Sequence, residues 1–307
     1  MSTALTGTGA QCLVVDPRDP RTIYAGTHGQ GVWKSTDGGV DWQRTSLPQL
    51  DVFSVAVSPA DGRVYAGCEP SMLFRSVDGG HTWEELSALR ALPSAPTWSF
   101  PPRPWTSHVR WIAPNPQDPD LLLVGIELGG LMYSRDGGRT WADHRPGAQR
   151  DVHAIAWHPR DGSRAYEAGG GGAAWSFDSG WTWEPADEGR GRHYTWALTV
   201  HPDDPDCWYI SASPGPSYAH SGYYGGSRHA NARIYRWRGK GPWGPLSGGL
   251  PDPFTSMPYA LTATREELYA GLSDGSIYVS VDKGDTWQQM TLRGDRLRSV
   301  VALATVE

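Results

Sequence analysis

The sequence predicts an all-β protein, built from short strands in repeated antiparallel sheets. Three observations predict this class. The 307 residues include 38 glycines and 25 prolines, with 38% hydrophobic residues, a composition that suits many turns and argues against long helices. Short β-favouring runs recur at spacings of about eight to twelve residues between Gly, Pro and Asp. An eight-residue signature also recurs along the whole chain, which predicts one domain over residues 1–307.

The signature has the form Ser-x-Asp-x-Gly-x-Thr-Trp. Its aspartates are separated by 41, 58, 42 and 104 residues, and the last gap contains a worn copy at residues 236–243 that keeps only the tryptophan. Six units follow from this count. The five intact copies are STDGGVDW (35–42), SVDGGHTW (76–83), SRDGGRTW (134–141), SFDSGWTW (176–183) and SVDKGDTW (280–287).

Each unit contains four strands in the same order. In the first unit they are the runs CLVV, TIYAG and VWKS and the residues after Trp42. One four-stranded sheet leaves both of its faces uncovered, so the six units are expected to pack radially around an axis. The sequence therefore predicts a six-bladed β-propeller of four-stranded antiparallel blades. Residues 299–304 stand where a seventh inner strand would begin, which keeps a seven-bladed variant open.

The signatures resemble the Asp-box, or bacterial neuraminidase repeat, of sialidase-like β-propellers. Similar repeats occur in sialidases, xyloglucan-degrading hydrolases, sortilin-type receptors and photosystem II assembly factors, so the resemblance implies a fold and leaves the activity open. In the box, Asp accepts backbone N–H bonds, Gly supplies a positive φ, and Trp packs under the hairpin. The box aspartates are therefore expected to be structural.

Composition also limits partners and location. The net charge is −6 and the isoelectric point is near 5.9, with no basic block, which argues against binding nucleic acid or acidic lipid. The sequence lacks an apolar run of membrane-spanning length and a leader-like N-terminus, so we expect no membrane association and a cytoplasmic location. Cys12, Cys68 and Cys207 are scattered and odd in number, so we expect them to be buried small hydrophobic residues.

Two insertions interrupt the repeat, at residues 88–108 between blades two and three and at residues 213–231 within blade five. The first carries Trp98, Phe100 and Trp105. Both fall on the face opposite the box turns, and aromatic loops on a rigid scaffold commonly form binding sites. We therefore expect the insertions to cover the functional face.

Aligning the inner strands brings polar and aromatic residues to this face. Two rings and a set of turn residues are predicted to converge there. A packing role alone would favour Val, Ile or Leu at these positions, so we expect a ligand pocket. The alternative is a solvated channel without chemistry. The upper ring is Gln11, Phe53, Arg110, His153, Trp196 and Tyr259, the second ring is Asp51, His108, Asp151 and Tyr194, and the turns add His28, Glu69 and Glu127.

This residue set favours a pocket for a small molecule or glycan and acid–base hydrolysis of glycosidic or related bonds. Crowded carboxylates beside His and Arg shift one another's pKa values, and a pair of carboxylates can cleave a glycosidic bond. The predicted catalytic residues are Glu127, Glu69, His153, Asp151 and Tyr259. The predicted substrate-binding residues are Arg110, Trp196, Tyr194, His193, Asp51, His108, His28 and Arg298.

Similarity to sialidases implies an arginine cluster, for which Arg110, Arg192 and Arg298 are the candidates. It also implies a tyrosine nucleophile, Tyr259 or Tyr194, beside Glu127 or Glu69. The Arg-Ile-Pro segment of sialidases is absent, so sialidase activity itself is not expected. Xyloglucan-degrading relatives use two propellers around a cleft, whereas this chain contains one.

Three alternatives stay open. No cofactor is required by the sequence, but His28, His108, His153 and His193 with a glutamate could bind a divalent metal ion such as zinc. The same acids and bases suit a lyase or cyclase acting on a small metabolite, with or without metal. A non-enzymatic propeller that binds a ligand or assembles with a protein is the third. Residues 169–172 (GGGG) lack the features of a phosphate loop and are predicted to form a tight turn near the pocket.

Overall fold

The computed structural model describes residue 5 and residues 7–100, 106–220, 229–291 and 297–305. These residues form six antiparallel sheets arranged as blades around an axis, so the predicted six-bladed β-propeller is confirmed. In each blade the strands follow the chain order outward from the axis, because consecutive strands pair as hairpins. In blade three, the place of the fourth strand is taken by a single bridge between Tyr133 and Ala142.

The strands have these bounds. The first three blades consist of β1 (Ala10–Asp16), β2 (Asp19–Thr27), β3 (Gly31–Ser35), β4 (Gln43–Arg44); β5 (Val52–Val57), β6 (Val64–Cys68), β7 (Leu73–Ser76), β8 (Glu84–Glu85); and β9 (Val109–Pro114), β10 (Leu122–Ile126), β11 (Gly130–Ser134). The last three consist of β12 (Val152–His158), β13 (Asp161–Gly169), β14 (Gly172–Ser176), β15 (Glu184–Pro185); β16 (Tyr194–His201), β17 (Asp204–Ser213), β18 (Arg233–Arg238), β19 (Gly244–Pro245); and β20 (Pro258–Ala263), β21 (Leu268–Leu272), β22 (Ile277–Ser280), β23 (Gln288–Gln289).

The described parts of the two insertions contain the short helices. Residues 88–108 overlap a 3-10 helix at Ser87–Ala91 and contain another at Ala95–Thr97, and residues 213–231 contain the α-helix α1 (Pro216–Ala219). Trp105, in residues 101–105, and residues 221–228 of the second insertion lie outside the described residues. None of the described helices has the length and apolar character of a membrane span.

Neighbouring blades pack through a glycine in the second strand. A Cβ atom at Gly26 would lie 2.7 Å from Val52 of the next blade and 3.1 Å from its Val55, so only glycine allows this approach. Gly271 of blade six is covered in the same way, with Val300 at 2.3 Å and Leu303 at 3.2 Å. The segment 297–305 thus occupies the position of a following inner strand, as expected from its sequence.

The inner strand of blade one has an uncovered side. Leu13 of β1 aligns with Val55 of β5, yet Leu13 is 37% exposed whereas Val55 is 9% exposed. The equivalent side of β5 in blade two packs against blade one, in a cluster with Tyr24 and Val32. The segment 297–305, rather than β1, therefore supplies the apolar cover for blade six.

The box turns have the predicted structural role. In the second box, Asp78 accepts hydrogen bonds from the Thr82 amide at 2.8 Å and the Thr82 hydroxyl at 2.6 Å, and the Trp83 indole donates to the Gly80 carbonyl oxygen. Gly79 and Gly80 both have positive φ. These contacts satisfy the carboxylate within its own turn, which explains why the motif recurs without chemistry.

The worn copy in blade five keeps its tryptophan for a different contact. Trp243 is 2% exposed, and its indole donates to the carbonyl oxygen of Ala186 in blade four instead of to its own turn. The ring packs against Trp208 and Trp237. Aromatic packing within blade five and the hydrogen bond to blade four therefore compensate for the loss of the other box residues.

The three cysteines are free, and Cys68 and Cys207 are buried, as expected, whereas Cys12 is only partly buried.

Candidate functional site

Four residues of the upper ring meet where the inner strands begin. Arg110 lies on β9, His153 on β12, Trp196 on β16 and Tyr259 on β20. The Arg110 guanidinium carbon lies 4.8 Å from the centre of the Trp196 ring, and that ring lies 4.4 Å from His153 and 5.5 Å from Tyr259. Strands that run in parallel from one face of a propeller bring these side chains together, although they are far apart in sequence.

A histidine between two glutamates forms the centre of the site. Nε2 of His108 lies 2.7 Å from Oε2 of Glu127, and its Nδ1 lies 3.6 Å from Oε2 of Glu69. The imidazole stacks on Phe53 at 3.9 Å, and Phe100 of the first insertion contacts its edge. The ring is thus held in one plane, with its two nitrogens directed at the two acids.

Glu127 is charged although it is 6% exposed. Burial by itself would raise the pKa of this carboxyl, but the hydrogen bond from His108 and the charge of Arg110, whose Nε lies 3.5 Å away, outweigh burial and hold its pKa at about 2. A carboxylate in this state can act as a base or bind a cation. It cannot donate a proton at neutral pH.

The side chain of His153 has a defined tautomer. Its Nδ1 lies 2.6 Å from the carbonyl oxygen of Thr195, which can only accept, so Nδ1 carries a proton and donates it. Nε2 of His153 is buried, makes no hydrogen bond within the part of the chain that the structure describes, and lies 3.4 Å from Oδ2 of Asp151. Donor atoms of Glu127, Asp151 and His153 all lie within 4.8 Å of one another.

The glycine run at 169–172 adjoins this cluster. Gly170 and Gly171 form the turn between β13 and β14, and the Gly170 amide donates to the carbonyl oxygen of Asp151 at 2.8 Å. A Cβ atom at Gly170 would lie 2.0 Å from Oδ2 of Asp151. The turn therefore has to be glycine for the Asp151 carboxylate to keep its position.

The second insertion adds a histidine that sequence reasoning did not single out. The Tyr259 hydroxyl donates its one proton to the carbonyl oxygen of Ala219, so at 3.0 Å it must accept from Nδ1 of His220. Nε2 of His220 then accepts from the Tyr194 hydroxyl at 3.1 Å. The position of His220 in an aromatic insertion was the only sequence signal for it.

Burial keeps both of these groups uncharged at neutral pH. It lowers the pKa of His220 to about 4 and raises the pKa of Tyr259 to about 12. His220 and Tyr259 are therefore polar but neutral parts of an aromatic wall that includes Trp196 and Tyr194. Such a wall suits the apolar faces of a polar ligand.

Several predicted residues lie outside the cluster of contacts around Glu127 and His153. His28 is exposed and pairs with Asp51 at 2.8 Å. His193 and Arg298 are exposed and make none of the hydrogen bonds or ion pairs of the cluster within the described chain. Phe53 stacks on His108. Gln11 is partly buried, and its amide nitrogen has no hydrogen bond in the described structure.

Two of the residue sets predicted from the sequence are not brought together in the described structure. The three-arginine grip implied by sialidases does not form, because Arg192 donates to both oxygens of Asn231 and Arg298 is exposed, which leaves Arg110 alone. The four histidines proposed as metal ligands are likewise not brought together among the described residues. Among the described residues, the group of three or more donors contains only His153 of the four, with Glu127 and Asp151 as its neighbours.

Comparison with known proteins supports the repeat and the fold. Residues 132–143 match the BNR/Asp-box repeat. No curated protein matches the sequence significantly. Similar solved structures include an ancestral GH74 enzyme (18% identity, TM-score 0.70, 92% of this chain and 38% of that one) and the GH74 xyloglucanase from Xanthomonas campestris (19%, 0.69, 95% and 46%). A third is YCF48 bound to D1 peptide (19%, 0.59, 92% and 83%).

These similarities support an Asp-box repeat at residues 132–143 and a β-propeller fold, and nothing finer. The identities are below 20%, and WD40 repeats of RRP9 match the same fold with a TM-score of 0.63. The chain spans less than half the length of the GH74 structures that it matches. Activity therefore has to be argued from the residues of the site.

Proposed function

We propose that the chain is a hydrolase of glycosidic or related bonds, with its active site around Glu127. The observation that carries this proposal is a buried but ionised carboxylate beside a second carboxylate, Asp151, and the fixed imidazole of His153. A stability role would favour replacing such a group with an apolar residue, because burying ions costs free energy. Perturbed acids and bases at the mouth of a scaffold are typical of catalytic sites.

The state of Glu127 assigns its role. With a pKa of about 2 it stays ionised at neutral pH but is too weak a base to remove a proton from water efficiently, so its role is to face positive charge that develops on the substrate. Asp151 lies close enough to act on the same bond or the same water, and Glu69 lies on the other side of His108. His108 is a positioning residue, because it is 1% exposed and acts through the two glutamates.

The wall around the acids suits a sugar-like ligand. Trp196 and Tyr194 offer aromatic faces, and Arg110, which stacks on Trp196, offers a fixed cation for a polar group. Tyr259 belongs to this wall as a neutral hydroxyl that holds the second insertion, a role that differs from that of a nucleophile. The similar GH74 structures are named as glycan-acting enzymes, which agrees with this class of substrate.

Protein binding is the second candidate. YCF48 bound to D1 peptide is a peptide complex, and this chain covers 83% of it, in contrast with 38% and 46% of the GH74 structures. A similar single propeller therefore binds a peptide. On this reading the aromatic wall would dock an extended segment, and the acids would contribute affinity without turnover.

The test is a screen of the purified protein against aryl glycosides and xyloglucan oligosaccharides, with Glu127→Gln as the key variant. We expect hydrolysis by the wild type and a loss of at least about a hundredfold in kcat/KM in Glu127→Gln, because the negative charge that stabilises the transition state is removed. Glu188→Gln, which changes an exposed carboxylate, is the matched control and should stay active. Tight peptide binding with no turnover of any substrate would replace the hydrolase proposal with the second candidate.

A further inference from the structure

We propose that Glu127, Asp151 and His153 form a binding site for a divalent transition-metal ion such as Zn²⁺. The three side chains come from β12, the residue before it, and the turn after β10, and their donor atoms lie within 4.8 Å of one another. Metal–ligand distances of about 2.0–2.2 Å place two ligands at most about 4.4 Å apart. The side chains therefore need only small rotations to surround one ion.

The orientation of His153 is the independent observation that points to an ion. The residue is 1% exposed, and its Nε2, which carries a lone pair when the ring is neutral, has no hydrogen-bond partner among the described residues. A buried imidazole whose Nδ1–H donates to a backbone carbonyl while Nε2 points at carboxylates has the arrangement of a metal ligand with its supporting contact.

The support of His153 is itself rigid. Thr195, whose carbonyl oxygen accepts from His153, is fully buried. Its hydroxyl lies 2.7 Å from the carbonyl oxygen of Gly172 and accepts from the Gly169 amide at 2.8 Å. The imidazole is thus oriented by the same hairpin that holds Asp151, so two of the three donors are positioned together.

Glu127 has an oxygen available for an ion. Within the described structure, the contacts of Glu127 with His108 and with Arg110 both use Oε2 rather than Oε1. The hydrogen bond from His108 orients the carboxylate in the way that outer contacts orient metal-bound acids. Arg110 is directed to the same Oε2, and its cation is partly balanced by the face of Trp196.

The donor set selects the class of ion. One imidazole and two carboxylates suit Zn²⁺, Co²⁺ or Mn²⁺, whereas Mg²⁺ and Ca²⁺ prefer oxygen ligands alone. Three protein ligands leave a coordination position for water, whose pKa a zinc ion lowers toward neutrality. The role of the ion in activating water rests on the proposed function and deepens it. The binding of the ion does not depend on the proposed function.

The experiment uses full-length, tag-free protein from which metal has been removed with a chelator. Calorimetric titration with Zn²⁺ should give one site per chain, and Co²⁺ should give visible absorption bands of a site with nitrogen and oxygen ligands. Mg²⁺ should not compete. Asp151→Asn and His153→Gln should each weaken Zn²⁺ binding by at least about tenfold, while Glu188→Gln should bind like the wild type.

Asp151→Asn is decisive if His153→Gln does not fold, because it keeps the shape of a partly exposed side chain. Absence of stoichiometric Zn²⁺ binding, or equal affinities in Asp151→Asn and the wild type, would overturn the metal site and leave a plain His153–Asp151 ion pair. Stoichiometric binding without any hydrolysis would sustain the metal site and count against the hydrolase. Full hydrolysis by chelated protein that takes up no ion would support the hydrolase and overturn the metal site.

Discussion

Nε2 of His108 lies 2.7 Å from Oε2 of Glu127, and this contact links the segments that flank β9 and β10 in blade three. His108 precedes β9, and Glu127 follows β10, so the hydrogen bond joins the two ends of one hairpin. It keeps a buried carboxylate ionised and directs it toward Asp151 and His153. The electrostatics of the site therefore depend on this pair.

The pH dependence of stability should reveal the state of Glu127. Its pKa falls from 4.5 to about 2 on folding, so the stabilisation is fully present above about 4.5 and is lost as the pH falls toward 2. The shift corresponds to roughly 3 kcal/mol. We expect the free energy of unfolding of Glu127→Gln to fall below that of the wild type at pH 7 and to approach it at pH 3, measured by urea denaturation. A difference that does not vary with pH would contradict this assignment.

Gly170 should be required for the position of Asp151. Gly170→Ala places a Cβ atom 2.0 Å from Oδ2 of Asp151, so the carboxylate has to move. We expect at least about a tenfold loss of Zn²⁺ affinity or of kcat/KM with the fold retained. Gly191→Ala is the matched control, because a Cβ there meets nothing within 4 Å. Equal behaviour of the two variants would show that the turn does not position Asp151.

Tyr259→Phe should distinguish a wall residue from a nucleophile. The change removes the hydroxyl that donates to the Ala219 carbonyl oxygen and accepts from His220. The second insertion would then be held less firmly, so we expect KM to rise several-fold while kcat changes little. A fall of kcat to background, measured with the substrate found in the screen, would instead make Tyr259 catalytic.

The box aspartates should affect stability alone. Asp178→Ala removes the acceptor for the Thr182 amide and hydroxyl and for the Ser176 hydroxyl. We expect the Tm to fall by a few degrees, since the turn loses its internal hydrogen bonds. Activity and Zn²⁺ affinity at a temperature well below the Tm should match the wild type. Selective loss of activity would make the box part of the site.

Glu167 should be a buried neutral acid at physiological pH. Burial raises its pKa from 4.5 to about 8, opposed only in part by the hydrogen bond from the Gln149 amide. An acid whose pKa is raised on folding destabilises the protein as the pH rises from about 4.5 to 8, here by roughly 4 kcal/mol. The free energy of unfolding of the wild type should therefore fall as the pH rises over this range. The free energy of unfolding of Glu167→Gln should lack this slope. Parallel slopes would indicate that Glu167 is charged.

The site residues on the repeated strands and turns could be predicted from the sequence, whereas the site residue in the second insertion could not. Period-two alternation and alignment on the turns brought Arg110, His153, Trp196 and Tyr259 to the same face, because a blade repeats its geometry each time it repeats its sequence. Glu127 and Glu69 were found from their place after equivalent glycines. His220 was not found, since an insertion has no counterpart in the other blades and its position depends on tertiary contacts with Tyr194 and Tyr259.

The repeated signatures were enough to specify the six blades and the structural role of the box aspartates, because each turn satisfies its hydrogen bonds with residues that are neighbours in the chain. The distribution of charge and of donor atoms was decided by tertiary structure. Arg192 and Arg298 were candidates for the same arginine cluster as Arg110, and His28 and His193 for the same metal site as His153, but burial, the Thr195 carbonyl and the approach of Gly170 distinguish the members of the cluster. The physical reason is that a pKa and a coordination geometry depend on every group within a few ångströms, and in a propeller those groups come from different blades.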